Sequence, residues 1–146
     1  MNIAVRYHSD SGNTKKVAVA IANALGVKAE TASYPVKDVD ILFMGSAIHA
    51  GKLPYEVTSF FNAVGPASVK KIVVFGTSMS GKSPAPMINA IARPRGIKTA
   101  DESFACPGKY LMFKRGRPND DDLAAAAAFA KKIVAGEGVS APNEGA

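Results

Sequence analysis

Two continuous apolar runs, VDILFMGS at residues 39–46 and KKIVVFG at 70–76, constrain this chain more than any other feature. Neither alternates polar with apolar residues, so each suits a strand covered on both faces. Strands of that kind belong to parallel sheets clad by helices. Parallel neighbours in turn need long crossover connections, usually helical, so helices are expected between the strands.

The rest of the chain supplies them. NIAVRY at the start reads as a strand and breaks into the polar loop HSDSGNT. Val17, Ala20, Ile21, Ala24 and Leu25 then fall at helical spacing, and Gly26 stops the helix. VKAETAS alternates like a half-buried edge strand. After VDILFMGS, Pro54 opens a second helix with Val57, Phe60, Phe61 and Val64 on one face, ended by Gly65-Pro66. Met87, Ile88 and Ile91 mark a short third helix closed by RPRG. IKTADESFAC and KYLMF together form a last strand, interrupted or extended near Pro107-Gly108. Asn119 caps a final helix whose first turn holds Asp120, Asp121 and Asp122, with Leu123, Ala126, Ala130 and Ile133 facing inward.

Five strands alternating with four helices predict a doubly wound α/β fold with a parallel sheet. Right-handed crossovers and a polar second strand favour the order 2-1-3-4-5, with a crevice between the carboxyl ends of strands 1 and 3. At 146 residues and 47% hydrophobic, the chain has enough apolar surface for one core. The domain is expected to occupy residues 1–136, with 137–146 as a flexible tail.

The function classes narrow by composition. No apolar run reaches the ~20 residues that span a bilayer, and no signal-peptide pattern opens the chain, so a cytoplasmic protein without a transmembrane segment is expected. Net charge is +6, but the lysines come in scattered pairs without aromatic interleaving, so no specific nucleic acid is predicted. The single cysteine, Cys106, reads as core filler. His8 and His49 are the only histidines and have no Cys nearby, so they read as polar loop residues and no metal site is expected.

The loops after strands 1, 3 and 4 must emerge on the same edge of a parallel sheet, so HSDSGNT, SAIHAGKLP and TSMSGKSP converge. The first is rich in hydroxyls, and Gly12 lets backbone approach an anion at a helix start. Ser, Asp, Asn and Thr also serve as plain helix caps, and both readings fit. The third loop contains GTSMSGKS, residues 76–83, which matches the nucleotide-binding pattern G-x-x-x-x-G-K-[ST]. Its context is poor, because Pro84 and Pro86 follow where a long helix should start, and no buried strand ends in an aspartate to organise Mg²⁺.

On the motifs SDSGNT, GSAIHAGKLPYEVTSFF and GKYLMFKRGRPNDDDL, the sequence resembles the flavodoxin-like family of FMN-binding proteins. The second motif is also similar to the branch that includes the protoporphyrinogen dehydrogenases. The resemblance implies a flavodoxin-like three-layer sandwich, with Ser9, Asp10, Ser11, Gly12, Asn13 and Thr14 around the FMN phosphate. It places Ser46, Ala47, Ile48, His49, Ala50 and Gly51 at one face or edge of the flavin ring. Thr77, Ser78, Met79, Ser80, Gly81 and Lys82 would lie at the other.

The implied function is electron transfer between redox partner proteins, which a basic chain would meet through acidic docking surfaces. No catalytic residue is then required. An FMN-dependent quinone- or protoporphyrinogen-type oxidoreductase is the alternative, and a non-redox interaction module on the same fold is the second. One departure bears on the choice: the chain has no Trp, and neither ring loop contains the Tyr or Phe that commonly sandwiches the flavin. With Lys52 and Lys82 beside the ring in place of acidic groups, a less negative potential for the reduced flavin is expected.

Overall fold

The computed structural model describes residues 1–109 and 116–145, with side chains described as far as Glu137. Its elements follow in the order β1 (Ile3–Tyr7), α1 (Asn13–Leu25), β2 (Ala29–Thr31), β3 (Val39–Ala47), α2 (Tyr55–Phe60) and β4 (Val69–Ser78). Then come α3 (Ala85–Ala92), a 3-10 turn (Arg93–Arg95), β5 (Lys98–Thr99), β6 (Phe104–Pro107) and α4 (Asp120–Gly145). The sheet has the order β2-β1-β3-β4-β5, as the alternation of elements implies, and every pairing in it is parallel.

The last strand position differs from a single continuous run. β5 pairs with Lys71 and Ile72 of β4, while β6 pairs with Phe75 to Ser78 of the same strand. Residues 100–103 loop out between them, because Asp101 and Glu102 are exposed and cannot sit in a covered strand. The expected continuation of KYLMF beyond Lys109 lies outside the described residues.

The central strands explain the layering. Ile41 and Phe43 of β3, with Val73 and Phe75 of β4, face one core together with Val17 and Ile21 of α1 and Ala126 and Ala130 of α4. Leu42 and Met44, with Ile72 and Val74, face the other, against Val57, Phe60 and Phe61 around α2 and Ile88 and Ala92 of α3. Successive residues of a strand point to opposite faces, so an unbroken apolar run fills two cores at once. Close packing also fixes Gly45, where a Cβ would strike the Phe75 ring.

Helix ends show what local sequence controls. α1 closes on Gly26 at φ +70°, whose N–H and that of Val27 return to carbonyls of the last turn. α2 ends at Phe60, earlier than its apolar spacing implies, although Phe61 and Val64 are buried all the same. α4 begins as expected: Asn119 Oδ1 accepts the Asp122 N–H at 2.9 Å, and Asp122 returns the favour to the Asn119 N–H at 2.9 Å. The helix runs to Gly145.

Candidate functional site at the carboxyl edge of the sheet

A cleft of about 340 Å³ opens at the carboxyl ends of β1, β3 and β4, where the strand order reverses. Four segments line it. Ser11 and Asn13 come from the first loop; Ala47, Ile48, His49 and Ala50 from the second; Thr77, Ser78 and Met79 from the third; Gly108 and Lys109 from a fourth, after β6. The remaining predicted residues, Ser9, Asp10, Gly12, Thr14, Ser46, Gly51, Ser80, Gly81 and Lys82, sit in the same loops without lining the cleft.

The first loop is built around Gly12. At φ +92° it occupies a conformation that side chains rarely tolerate, and it is the residue preceding α1. Its N–H donates to Ser9 Oγ at 3.1 Å, and its carbonyl accepts the Lys16 N–H at 3.1 Å. No side chain caps α1, and no acid stands in its first turn. The first-turn amides therefore have neither an intrahelical acceptor nor a capping oxygen, which favours an anionic ligand at this end. No side-chain oxygen of SDSGNT reaches those amides, and Ser9 Oγ holds only the Gly12 N–H.

Asp10 is committed elsewhere. Its carboxylate lies 3.0 Å from His8 Nε2, which also faces Glu56 of α2 at 3.8 Å. His8 is thus a bridge from the first loop to α2, beyond the isolated polar residue the sequence suggests.

The second loop is held in a narrow turn. His49 and Lys52 exchange backbone hydrogen bonds at 3.1 and 2.9 Å, with Ala50 at φ +51° and Gly51 at φ +73° between them. Glycine accepts that geometry readily, and Ala50 holds it at some strain. The Ile48 N–H donates to the Thr77 carbonyl at 3.2 Å, which joins the second loop to the third.

The third loop settles the geometry of GTSMSGKS. Gly76, Thr77 and Ser78 belong to β4, so the loop proper is short. Ser78 Oγ donates to the Lys82 carbonyl at 3.0 Å, and the Gly81 N–H donates to the Ser78 carbonyl at 3.3 Å. Ser83 Oγ accepts the Ala85 N–H at 3.1 Å and meets Ser103 Oγ at 2.9 Å. Lys82 is exposed and α3 starts only after Pro84, so neither residue stands in a helical first turn facing a phosphate.

Gly108 and Lys109 were missed by the sequence reading. Asn13 Nδ2 donates to the Lys109 carbonyl at 2.8 Å, and a Cβ on Gly108 would lie 2.8 Å from that same Nδ2. The signal was present: Pro107-Gly108 is a turn after a strand whose carboxyl end faces the same edge. Among the described residues, no group of three His, Cys, Asp or Glu could hold a metal ion, and no helix is long and apolar enough to cross a membrane.

A doubly wound parallel sheet with an open crevice at its switch point, fed by an uncapped helix amino end, defines a class of phosphate-bearing cofactor binders. Within that class, residues 4–116 match the flavodoxin domain model, and the chain belongs to the flavodoxin domain family. No curated protein sequence matches it. Among solved structures it is similar to a flavodoxin from the domain Archaea, at 22% identity and TM-score 0.72, covering 91% of this chain and 96% of that one. It is also similar to oxidised flavodoxin 2 from Bacillus cereus, at 20% identity and TM-score 0.69, covering 89% and 95%. Rubredoxin oxygen:oxidoreductase from the anaerobe Desulfovibrio gigas contains a similar fold within a longer chain, at 16% identity and TM-score 0.67, covering 89% of this chain and 34% of that one.

Proposed function

We propose that this chain binds FMN in the cleft and carries electrons between redox partner proteins. One observation carries the reading: the uncapped amino end of α1 opens onto a cleft whose lining is otherwise mainly apolar and, among the described residues, free of carboxylates. That donor set fits a phosphomonoester at one end and a flat, largely apolar ring along the other. FMN would supply reversible transfer of one or two electrons.

The chain's own residues would bind and orient. Ser11, Asn13 and the first-turn amides of α1 would hold the phosphate, with Ser9 Oγ holding Gly12 in place. Ala47, Ile48 and Met79 form apolar walls that exclude water, while Thr77 and Ser78 offer polar atoms between the two ends. Met79 is 48% exposed, which leaves an edge of the cleft open for electron exchange. Exposed Lys15, Lys16, Lys52, Lys82 and Lys109 belong to the loops and helix start at this edge, so acidic partner surfaces would dock here. Lys52 and Lys82 do not line the cleft, and their effect on the flavin potential would act at range. A cytoplasmic location fits this role.

Titration with FMN, followed by quenching of flavin fluorescence, tests the reading. Saturable quenching with a 1:1 endpoint is expected; a colourless protein that leaves FMN fluorescence unchanged would point instead to a non-redox module on this fold. A second reading has support in the lining itself, where His49 is the only ring among the described residues. An unstacked flavin would leave room for a small substrate, as in a quinone- or protoporphyrinogen-type oxidoreductase. Steady turnover of either substrate by the purified protein, without a partner, selects that reading.

A further inference from the structure

We propose that Met79 is a site of reversible oxidation in the cleft wall, where conversion of its thioether to the sulfoxide by hydrogen peroxide weakens the cleft for a flat apolar ring. The oxidation rests on the position of the sulfur alone; its effect on binding rests on the flavin reading above.

The sulfur-bearing side chains of the described residues differ widely in access. Met44 is 0% exposed within β3, Cys106 is 4% exposed, and Met87 of α3 is half-buried. Met1 is 62% exposed, but it precedes β1 and so lies at the amino edge of the sheet, opposite the cleft. Met79 is 48% exposed and lines the cleft, with Ala47 and Ile48. Its neighbours hold it there. The Ser78 carbonyl accepts the Gly81 N–H at 3.3 Å and the Gly108 N–H at 3.0 Å, and Ser78 Oγ donates to the Lys82 carbonyl at 3.0 Å.

A thioether needs no deprotonation to react, so Met79 is competent at neutral pH, where a buried thiol is not. The sulfur attacks one oxygen of the peroxide. An S–O bond forms as the O–O bond breaks, sulfur gives up two electrons, and the second oxygen leaves as water, carrying both hydrogens. A flexible apolar side chain thereby becomes a polar, chiral one. Ala47, Ile48 and Met79 supply the apolar walls of the cleft, so the change falls on one of its three water-excluding side chains. A sulfoxide oxygen in that wall loses its water when an apolar ring covers it, and the ring face offers no donor in return. Burial of an unpartnered polar group opposes binding.

The test treats the whole flavin-free protein and its Met79→Leu variant with hydrogen peroxide, removes the peroxide with catalase, maps added oxygen by peptide mass spectrometry and titrates FMN by fluorescence quenching. Met79 is expected to gain one oxygen ahead of Met44 and Met87. FMN affinity of the oxidised protein should fall about tenfold. Each protein is compared with its own untreated sample, and Met79→Leu, still oxidised at Met1, should show no change on treatment. The two methionine sulfoxide reductases, one for each sulfoxide epimer, should restore mass and affinity together. Oxidation of Met44 or Met87 as fast as Met79 would overturn the proposal. So would an undiminished affinity with Met79 fully oxidised, an equal loss in Met79→Leu, or an affinity that stays low after the mass returns. If the untreated protein does not bind FMN, the flavin reading fails and takes the effect on the ring with it, while the peptide map still decides whether Met79 is the site of oxidation.

Discussion

The hydroxyls of Thr14 and Thr77 meet at 2.8 Å inside the protein, and each residue is 1% exposed. The contact ties the first turn of α1 to the carboxyl end of β4, so two of the segments around the cleft share one anchor. Thr77 lines the cleft and Thr14 does not. If Thr14 donates, the Thr77 proton is left to point toward a ligand acceptor.

Breaking that pair from one side should cost more than removing it. Thr77→Val and Thr14→Val each strand a buried hydroxyl and are expected to lower unfolding free energy by about 1–3 kcal/mol, whereas the double variant should be close to the unmodified protein. Urea unfolding of all four proteins measures the coupling. Additive losses in the double variant would show that the two hydroxyls act independently.

Asp122 should make stability depend on acid. Its carboxyl is held below the ordinary range, first by the Arg117 guanidinium and also by the Asn119 N–H, against some opposing desolvation. A depressed native value means the unfolded chain takes up this proton first. The stabilisation is therefore complete above the unfolded carboxylate value of about 3.9 and disappears as pH falls through the lower native value. Asp122→Asn is expected to cost about 1 kcal/mol near neutrality, the size of a lost helix cap. Urea midpoints taken from pH 7 down to pH 3 should show the two proteins converging in acid.

The sheet and its order were legible because Leu42, Phe43 and Met44, like Ile72 to Phe75, are apolar on both faces, and only a covered strand needs that. The three loops were legible because parallel strands deliver their carboxyl ends to one edge. What escaped was tertiary. Lys109 reaches the cleft through a bond from Asn13, with which it shares no sequence neighbourhood. Asp120, Asp121 and Asp122 looked alike as first-turn acids, and the reciprocal bonds with Asn119 and the approach of Arg117 single out the last. The early end of α2 was hidden because Phe61 and Val64 stay buried whether or not the helix continues. Periodicity records which residues are covered, not whether the backbone between them is still helical.

Cys106 should be inert in the folded protein. Burial pushes its thiol up to about 11, with the nearby Asp122 adding in the same direction and Arg117 opposing. The thiolate is the reactive form, so at pH 7–8 almost none is present, and 4% exposure restricts access as well. Iodoacetamide labelling at pH 8 is expected to be at least about 100-fold slower in buffer than in denaturant, as judged by mass spectrometry, with the unfolded thiol at its ordinary value near 8.5. Comparable rates in the two conditions would mean that β6 opens readily.

The two ends of GTSMSGKS should respond oppositely to substitution. A Cβ on Gly76 would overlap the Ser46 carbonyl and the Pro84 ring, so Gly76→Ala is expected to destabilise by about 1–3 kcal/mol, the range for overpacking a filled site. Lys82 is exposed, its carbonyl is tied to Ser78 Oγ, and it lies outside the cleft lining, so Lys82→Ala should stay within about 0.5 kcal/mol. A triphosphate site predicts the reverse emphasis, with Lys82 dominating ligand affinity and ATP raising the melting temperature. Thermal unfolding of both variants, with and without ATP and Mg²⁺, separates the cases: a stabilisation by ATP that Lys82→Ala removes would restore the nucleotide reading. The pattern is otherwise explained by packing at its first glycine and by a closed turn from Ser78 to Lys82.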